Sequence, residues 1–284
     1  MALSPKLSQQ EAERCARDLL DEMEIAALPV LPIEIAKRKD ILVQPFRSDK
    51  PGFAGCLMMQ DNRFGIGYAD HLDNEGFVNF TVGHELGHYH LPGHVDFLFS
   101  DGQTVHYSAS AFTSSKPHER QADNFSAALL MPEHLFVPAL RFSGPGLKGV
   151  KTISGMCKTS LNATAIRYGQ LAEDPVAVVV SLGQDIDYAF VSPTLKEILG
   201  PIFLRRGDPL PRGSATARFN RDIENVLRSE NVESTCCLSE WFEGAPVHEM
   251  NEDVIGLGKY GKTLTILFTQ DEIEVDDSGE EEED

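Results

Sequence analysis

The stretch TVGHELGHYHLPGH, residues 81–94, places four histidines and a glutamate in fourteen positions. Each residue of a helix turns the chain by about 100°, so His84 and His88 share a face and can close on one ion. Glu85 sits beside that face, placed to reach a water on the ion and not the ion itself. This is the H-E-x-x-H arrangement of a metal-dependent hydrolase. Such a site needs a third protein ligand and an open fourth position. HERQAD (118–123) offers both a ligand and a support. Glu119 would complete a His2Glu set, and Asp123, one turn on, could accept the ring N–H of a ligating histidine. Zn2+ is the expected ion, and Mn2+ suits the same donors. The ion would acidify a bound water, and Glu85 would act as the general base that carries its proton to the leaving amine. Tyr68, His106 and Tyr107 are candidate donors to the oxyanion. His90 lies about 240° around the helix from His84 and points away, and His94 falls beyond the helix end.

Two helices must hold this set. The first starts from an Asp73 or Asn74 cap, runs through His88 and ends at Pro92–Gly93. The second starts at Pro117 and stops at Pro132. Upstream, Gln9 to Met23 reads as a helix and Pro32 opens another. ILVQPF and CLMMQ read as strands, and the glycine-rich RFGIGYAD (63–70) has the look of a sheet edge. A substrate could add to that edge as an extra strand, with Gly65, Gly67 and Tyr68 as its contacts. Residues 99–117 show little apolar periodicity and are expected to form a long binding loop or lid.

Downstream, 150–171 reads as helix, tight turn, helix, with Ser160 or Asn162 capping the second. From Arg141 to Ala172 there are five bases and no acid. After Pro175 the chain turns strand-rich: VAVVVSLGQDIDYAFVS is a strand, a turn and a strand, and STCCLSEWFEG and KTLTILFTQ are strand-like. A helix is expected near Asn220–Ser229. The implied organisation is a metallopeptidase domain over 1–135 and a helix-turn-helix-like segment over 136–174. A C-terminal α+β domain follows over 175–270, and an acidic, solvated tail over 271–284.

The 284 residues are enough for a sizeable core. The net charge of −19 comes largely from the tail, which holds ten acids and no base. The remainder has 34 acids against 25 bases. That balance repels duplex DNA unless a local basic patch overrides it. There is no apolar run long enough for a membrane helix and no signal-peptide pattern at the N-terminus. The five scattered cysteines suit a reduced, cytoplasmic setting.

HELGH (84–88) followed by ERQADNFSAALLMP (119–132) resembles the ImmA/IrrE family of bacterial metallopeptidases. The resemblance implies an α+β, zincin-like domain with helices packed on a small mixed sheet, then the helix-turn-helix-like segment and a smaller α/β C-terminal domain. It implies a gluzincin-like zinc endopeptidase, with ligand roles for His84, His88 and Glu119 and the base role for Glu85. Gly83 and Ser126 stand where the family often has alanine, and both changes look mild. The resemblance also implies a cytoplasmic regulator that cleaves a helix-turn-helix repressor and so derepresses stress or mobile-element genes. The last hundred residues resemble the extension of longer members.

A reading from another class is a DNA-binding regulator. It would use the basic 150–171 segment, and its metal site would be structural. The acidity of the chain and the lack of a second basic arm count against it.

Overall fold

The computed structural model describes residues 7–47, 52–70, 74–109 and 116–274. The Asp73 cap, positions 110–115 of the expected loop and the tail beyond 274 lie outside these residues. In chain order the first elements are α1 (Gln9–Glu22), α2 (Pro32–Arg38), β1 (Leu42–Phe46), β2 (Phe53–Gln60), β3 (Arg63–Ala69), α3 (Glu75–His90), α4 (His94–Leu98), β4 (Val105–Ala109) and α5 (Pro117–Leu130). Then come α6 (Glu133–Ser143), α7 (Gly146–Cys157), α8 (Leu161–Leu171), β5 (Val176–Leu182), β6 (Asp185–Val191), α9 (Pro193–Leu199), α10 (Ala215–Phe219), α11 (Ile223–Leu227), β7 (Asn231–Cys237), α12 (Leu238–Trp241), β8 (Glu249–Gly256) and β9 (Thr263–Phe268). No helix among the described residues is long and apolar enough to cross a membrane.

The chain divides into two compact units. The first takes residues up to 138 together with 153–163, and the second takes 139–152 and everything from 164. The boundaries fall inside α6, α7 and α8, so the 136–174 segment is shared between the units.

In the first unit, α1 shows why periodicity works when one face is solvated. Ala12, Ala16, Leu19 and Leu20 form its buried stripe. Ser8 and Glu11 exchange hydrogen bonds in a capping box, an arrangement worth about 1 kcal/mol. The opposite case is α3. It starts where Asn74 accepts from the Phe77 N–H at 3.0 Å, and every residue from Thr81 to His88 is buried. A helix covered on all sides has no amphipathic stripe, so the polar residues inside it must be read from their spacing. Its close neighbour is α5. Ser126 donates to the Phe80 carbonyl at 2.8 Å, and a Cβ on Gly83 would stand 2.5 Å from Ser126 Oγ. The two departures from the family pattern thus face each other: serine takes the space that glycine leaves.

The sheet of this unit runs in the order β1-β3-β2-β4, with β1 and β3 parallel and the other pairs antiparallel. The expected edge at 63–70 is therefore corrected. Gly65 pairs with Leu42 on one side and Met58 on the other, Gly67 with Gln44 and Cys56, and Tyr68 with Pro45 and Gly55. The glycines mark close packing instead of an open edge, since a Cβ on Gly67 would come within 2.8 Å of both Cys56 Sγ and Phe46 Cβ. The outermost strand on the far side is β4, inside the stretch expected to be loop. Its inward positions are polar, which hid the alternation.

In the second unit five strands run in the order β6-β5-β9-β8-β7, all antiparallel. With no parallel crossover in the sheet, α+β describes this unit better than α/β. The near-continuous burial of β5 fits a strand flanked on both edges and covered by Leu195, Leu199 and Trp241 of the core. The expected strand over STCCLSEWFEG is β7 as far as Cys237, and LSEW then forms the short helix α12. The Cys237 N–H is capped by Glu240, and Leu238 and Trp241, three apart, are both buried. Strand β8 is not legible from apolar periodicity, because buried Glu252 and Asp253 break its pattern.

Candidate metal centre

The spacing argument for α3 holds in three dimensions. His84 Nε2 and His88 Nε2 lie 3.0 Å apart, and Glu119 Oε2 from the first turn of α5 lies 3.3 Å from the former and 3.8 Å from the latter. These atoms form a group able to hold one metal ion, and all three residues are buried. His84 donates from Nδ1 to Asp123 Oδ1 at 2.8 Å, which leaves the lone pair on Nε2.

Electrostatics gives a test of fit. Burial alone would lower the His84 pKa, but its hydrogen bonds with Asp123 and Glu119 override that and raise it to about 10. Burial holds His88 neutral, well below the usual imidazole range. Glu119 is buried too, yet hydrogen bonds from His106, His118, His84 and His88 hold it far below the usual carboxylate range. An anionic Glu119 and Asp123 around facing imidazole nitrogens make a place that attracts positive charge, either a proton or a cation. The donor set is right for zinc: two imidazoles and one carboxylate.

Glu85 is fully buried, and neither of its carboxylate oxygens makes a hydrogen bond of normal geometry among the described residues, although the Ser108 hydroxyl stands close enough to lower its pKa. Burial raises its pKa, while the charges of His84 and His106 pull the other way. A Cβ on Gly55 would stand 2.9 Å from Glu85 Oε1, so the sheet presses against the carboxylate. Buried polar groups are nearly always paired, and an orphaned carboxylate beside a metal-binding set marks a functional position.

Histidines that spacing did not place complete the surroundings. His106 from β4 and His118 from α5 both reach Glu119 Oε1, at 3.1 and 3.2 Å. They leave Oε2 turned to the histidine pair. Of the three oxyanion candidates, His106 comes to the centre. Tyr68 packs against the main apolar cluster of the unit, and the Tyr107 ring lies edge-on to Phe53. Residues 106 and 108 share one face of β4, and the Ser108 hydroxyl, a hydrogen-bond donor beside Glu85, works against the upward effect of burial on that carboxyl. His90 stays on the flank, its ring stacked on Tyr89. His94 does not stay outside. Gly93 takes a left-handed φ of 76°, which glycine adopts without strain, and the chain folds back. This brings His94 Nδ1 to 3.0 Å from His88 Nδ1. Helical angles could not find His94, because the helix has ended before it. The signal available was the count of histidines itself.

Comparison with known proteins agrees with this geometry. Residues 66–144 match the family model of peptidase family M78, described as the IrrE N-terminal-like domain. The match spans α3, α5 and all three donors, and the resemblance read from the motifs holds there. No curated protein matches the chain. Among solved structures, a Mycobacterium tuberculosis transcriptional regulator is similar with a TM-score of 0.56 and 12% identity, over 91% of this chain and 76% of that one. At that identity the likeness speaks for the fold alone.

Proposed function

We propose, from the IrrE N-terminal-like domain over 66–144 and the donors it holds, that this chain is a zinc endopeptidase of gluzincin-like plan. The observation that carries the reading is the convergence of His84, His88 and Glu119 beside a fully buried Glu85 that no hydrogen bond of normal geometry ties down. Zinc held by His84, His88 and Glu119 would polarise the scissile carbonyl and acidify the attacking water. Each side chain then has a task. Asp123 holds the His84 ring by its Nδ1–H. His106 and His118 hold Glu119 by Oε1. The Glu85 carboxylate takes a proton from the attacking water and delivers it to the leaving amine nitrogen, and its dry surroundings raise its basicity for that task. Manganese fits the same ligands.

The substrate is a protein segment that can be extended. Since β3 lies inside the sheet, the strand available to line it is β4, which carries His106 and Ser108 toward the centre. The proposed substrate is a helix-turn-helix repressor cut in a linker, in the cytoplasm, with derepression of stress or mobile-element genes as the outcome. The free state of all five cysteines accords with that compartment. The alternative, direct DNA binding by the 150–171 segment with the basic stretch that starts at Arg141, is weakened by where its bases go. Arg141 pairs with Glu173, Lys158 pairs with Glu75, and Arg167 is buried.

The test is metal analysis of the wild type and Glu119→Ala, followed by incubation of the zinc-loaded protein with a repressor encoded beside it. One zinc per chain, lost in Glu119→Ala, and a cut in an extended linker are expected. A repressor left whole by zinc-loaded protein, or cut equally by Glu85→Gln, would end this reading.

A further inference from the structure

A chain of polar contacts runs behind His88, on the side of its ring away from the other ligands. His88 Nδ1 is 3.0 Å from His94 Nδ1, His94 Nε2 is 3.0 Å from Gln121 Oε1, and Gln121 Nε2 is 3.0 Å from the Leu7 carbonyl oxygen. His88, His94 and Gln121 are all buried, His88 and His94 with no exposed surface.

The direction of this chain follows from its last member. A carbonyl oxygen can only accept, so the Gln121 amide must present its NH2 to Leu7 and its oxygen to His94. That oxygen also can only accept, so the His94 proton is on Nε2. His94 Nδ1 is then a bare lone pair, and the contact at 3.0 Å requires the proton to be on His88 Nδ1. His88 Nε2 is left as the lone pair that faces His84 and Glu119. At each step the reverse assignment would set two acceptors or two donors against each other in a site closed to water.

We propose that His94 and Gln121 are positioning residues that set the tautomer and ring orientation of His88, with the Leu7 carbonyl fixing the polarity of the relay. The proposal rests on the reading of His84, His88 and Glu119 as metal ligands. His84 is oriented by a carboxylate, Asp123, whereas His88 is oriented through neutral groups tied to the segment that leads into α1. The relay joins three distant parts of the sequence: the start of the chain, the turn after α3 and the first turns of α5. His94 is a support and not a fourth ligand, since it meets the His88 ring at the nitrogen opposite the one that faces the ion.

The proposal makes a statement about the metal-free protein. Long-range 15N–1H correlation spectra should show His94 as the Nε2–H tautomer and His88 with its proton on Nδ1. An Nδ1–H tautomer at His94 would overturn the relay whether or not the protein binds metal. The second measurement is zinc affinity by chelator competition, with circular dichroism to verify folding. His94→Phe fills similar space but offers no acceptor, and should bind zinc 10–100-fold more weakly. His94→Asn sets an amide oxygen near the place of Nδ1 and should recover most of that loss. Gln121→Leu should weaken zinc about tenfold and let His94 exchange between tautomers. Equal weakening in folded His94→Phe and His94→Asn would show that His94 acts by packing and would overturn the relay. So would a folded Gln121→Leu with wild-type affinity and an unchanged His94 tautomer. Failure of the wild type to bind zinc would instead remove the metal reading, and the spectra would still decide the relay.

Discussion

Two glutamates among the described residues have no exposed surface: Glu85 in α3 of the first unit and Glu252 in β8 of the second. Glu252 accepts from the Ala215 N–H at 3.0 Å, the Thr216 N–H at 2.8 Å and the Thr216 hydroxyl at 2.7 Å. It fastens the start of α10 to the sheet. The oxygens of Glu85 make no hydrogen bond of normal geometry among the described residues, and the nearby Ser108 hydroxyl is a weak substitute for three such bonds. Burying an unpartnered carboxylate costs several kcal/mol, which the packing of α3 against α5 and the sheet must offset. Burial therefore separates these two residues from the surface acids, and hydrogen bonding separates them from each other. The satisfied one holds the fold, and the orphaned one is free to exchange a proton.

Activity should show the largest difference. Glu85→Gln should keep zinc at the wild-type level and lower the cleavage rate about 10²- to 10⁴-fold, the usual contribution of a general base. Glu252→Gln, compared per folded molecule, should cut at the wild-type rate. Similar losses in the two variants would erase the functional distinction.

Stability should reverse the order. Glu252→Ala leaves three donors unsatisfied and should cost about 3 kcal/mol in urea unfolding of the metal-free protein. Glu85→Met removes an unpaired buried carboxylate and should stabilise the same state by about 1 kcal/mol. If Glu85→Met destabilised as strongly as Glu252→Ala, Glu85 would have a structural partner and the contrast would fail.

A sharper question is what keeps Glu85 in place. Gly83→Ala would drive a Cβ into Ser126 Oγ and should cost about 1–3 kcal/mol. The double variant Gly83→Ala, Ser126→Ala should recover part of this, with a coupling of at least about 0.5 kcal/mol. Strict additivity would mean that α3 and α5 separate freely, and that their approach does not confine the carboxylate.

The smallest effect repeats the contrast in the cysteines. Burial pushes the Cys157 thiol up to about 12, while a hydrogen bond from Ser239 lowers that of Cys237. A lowered pKa means more thiolate at a given pH below it. At pH 8 an alkylating reagent should therefore label Cys237 first and leave Cys157 intact in the folded protein, as peptide mapping would read. Faster labelling at Cys157 would show that the region around α7 opens.

Much of the centre was legible because helix geometry is local. His84, Glu85 and His88 lie within five residues, and about 100° per residue fixes which of them share a face. Glu119 and Asp123 were legible for the same reason within α5, and their joining to α3 followed from the ligand count a hydrolase needs. The strand at β5 was legible because its apolar run admits few other places. Where a buried position is polar, the same reasoning had nothing to grip. Glu252 and Asp253 hid β8, and His106 and Ser108 hid β4.

By itself the sequence determined the spacing of the candidate donors along two helices, since that is set within a turn or two of chain. Only the tertiary structure decided the sheet order that closed the glycine-rich strand on both sides. It alone brought His94 to the His88 ring and His106 and His118 to the Glu119 carboxylate. These depend on contacts between residues far apart in sequence, and no local period encodes which distant neighbour will arrive. The same is true of the two buried glutamates. Each is one letter in the chain, and the partners that the fold supplies make Glu252 a fastening and leave Glu85 suited to the base role proposed for it.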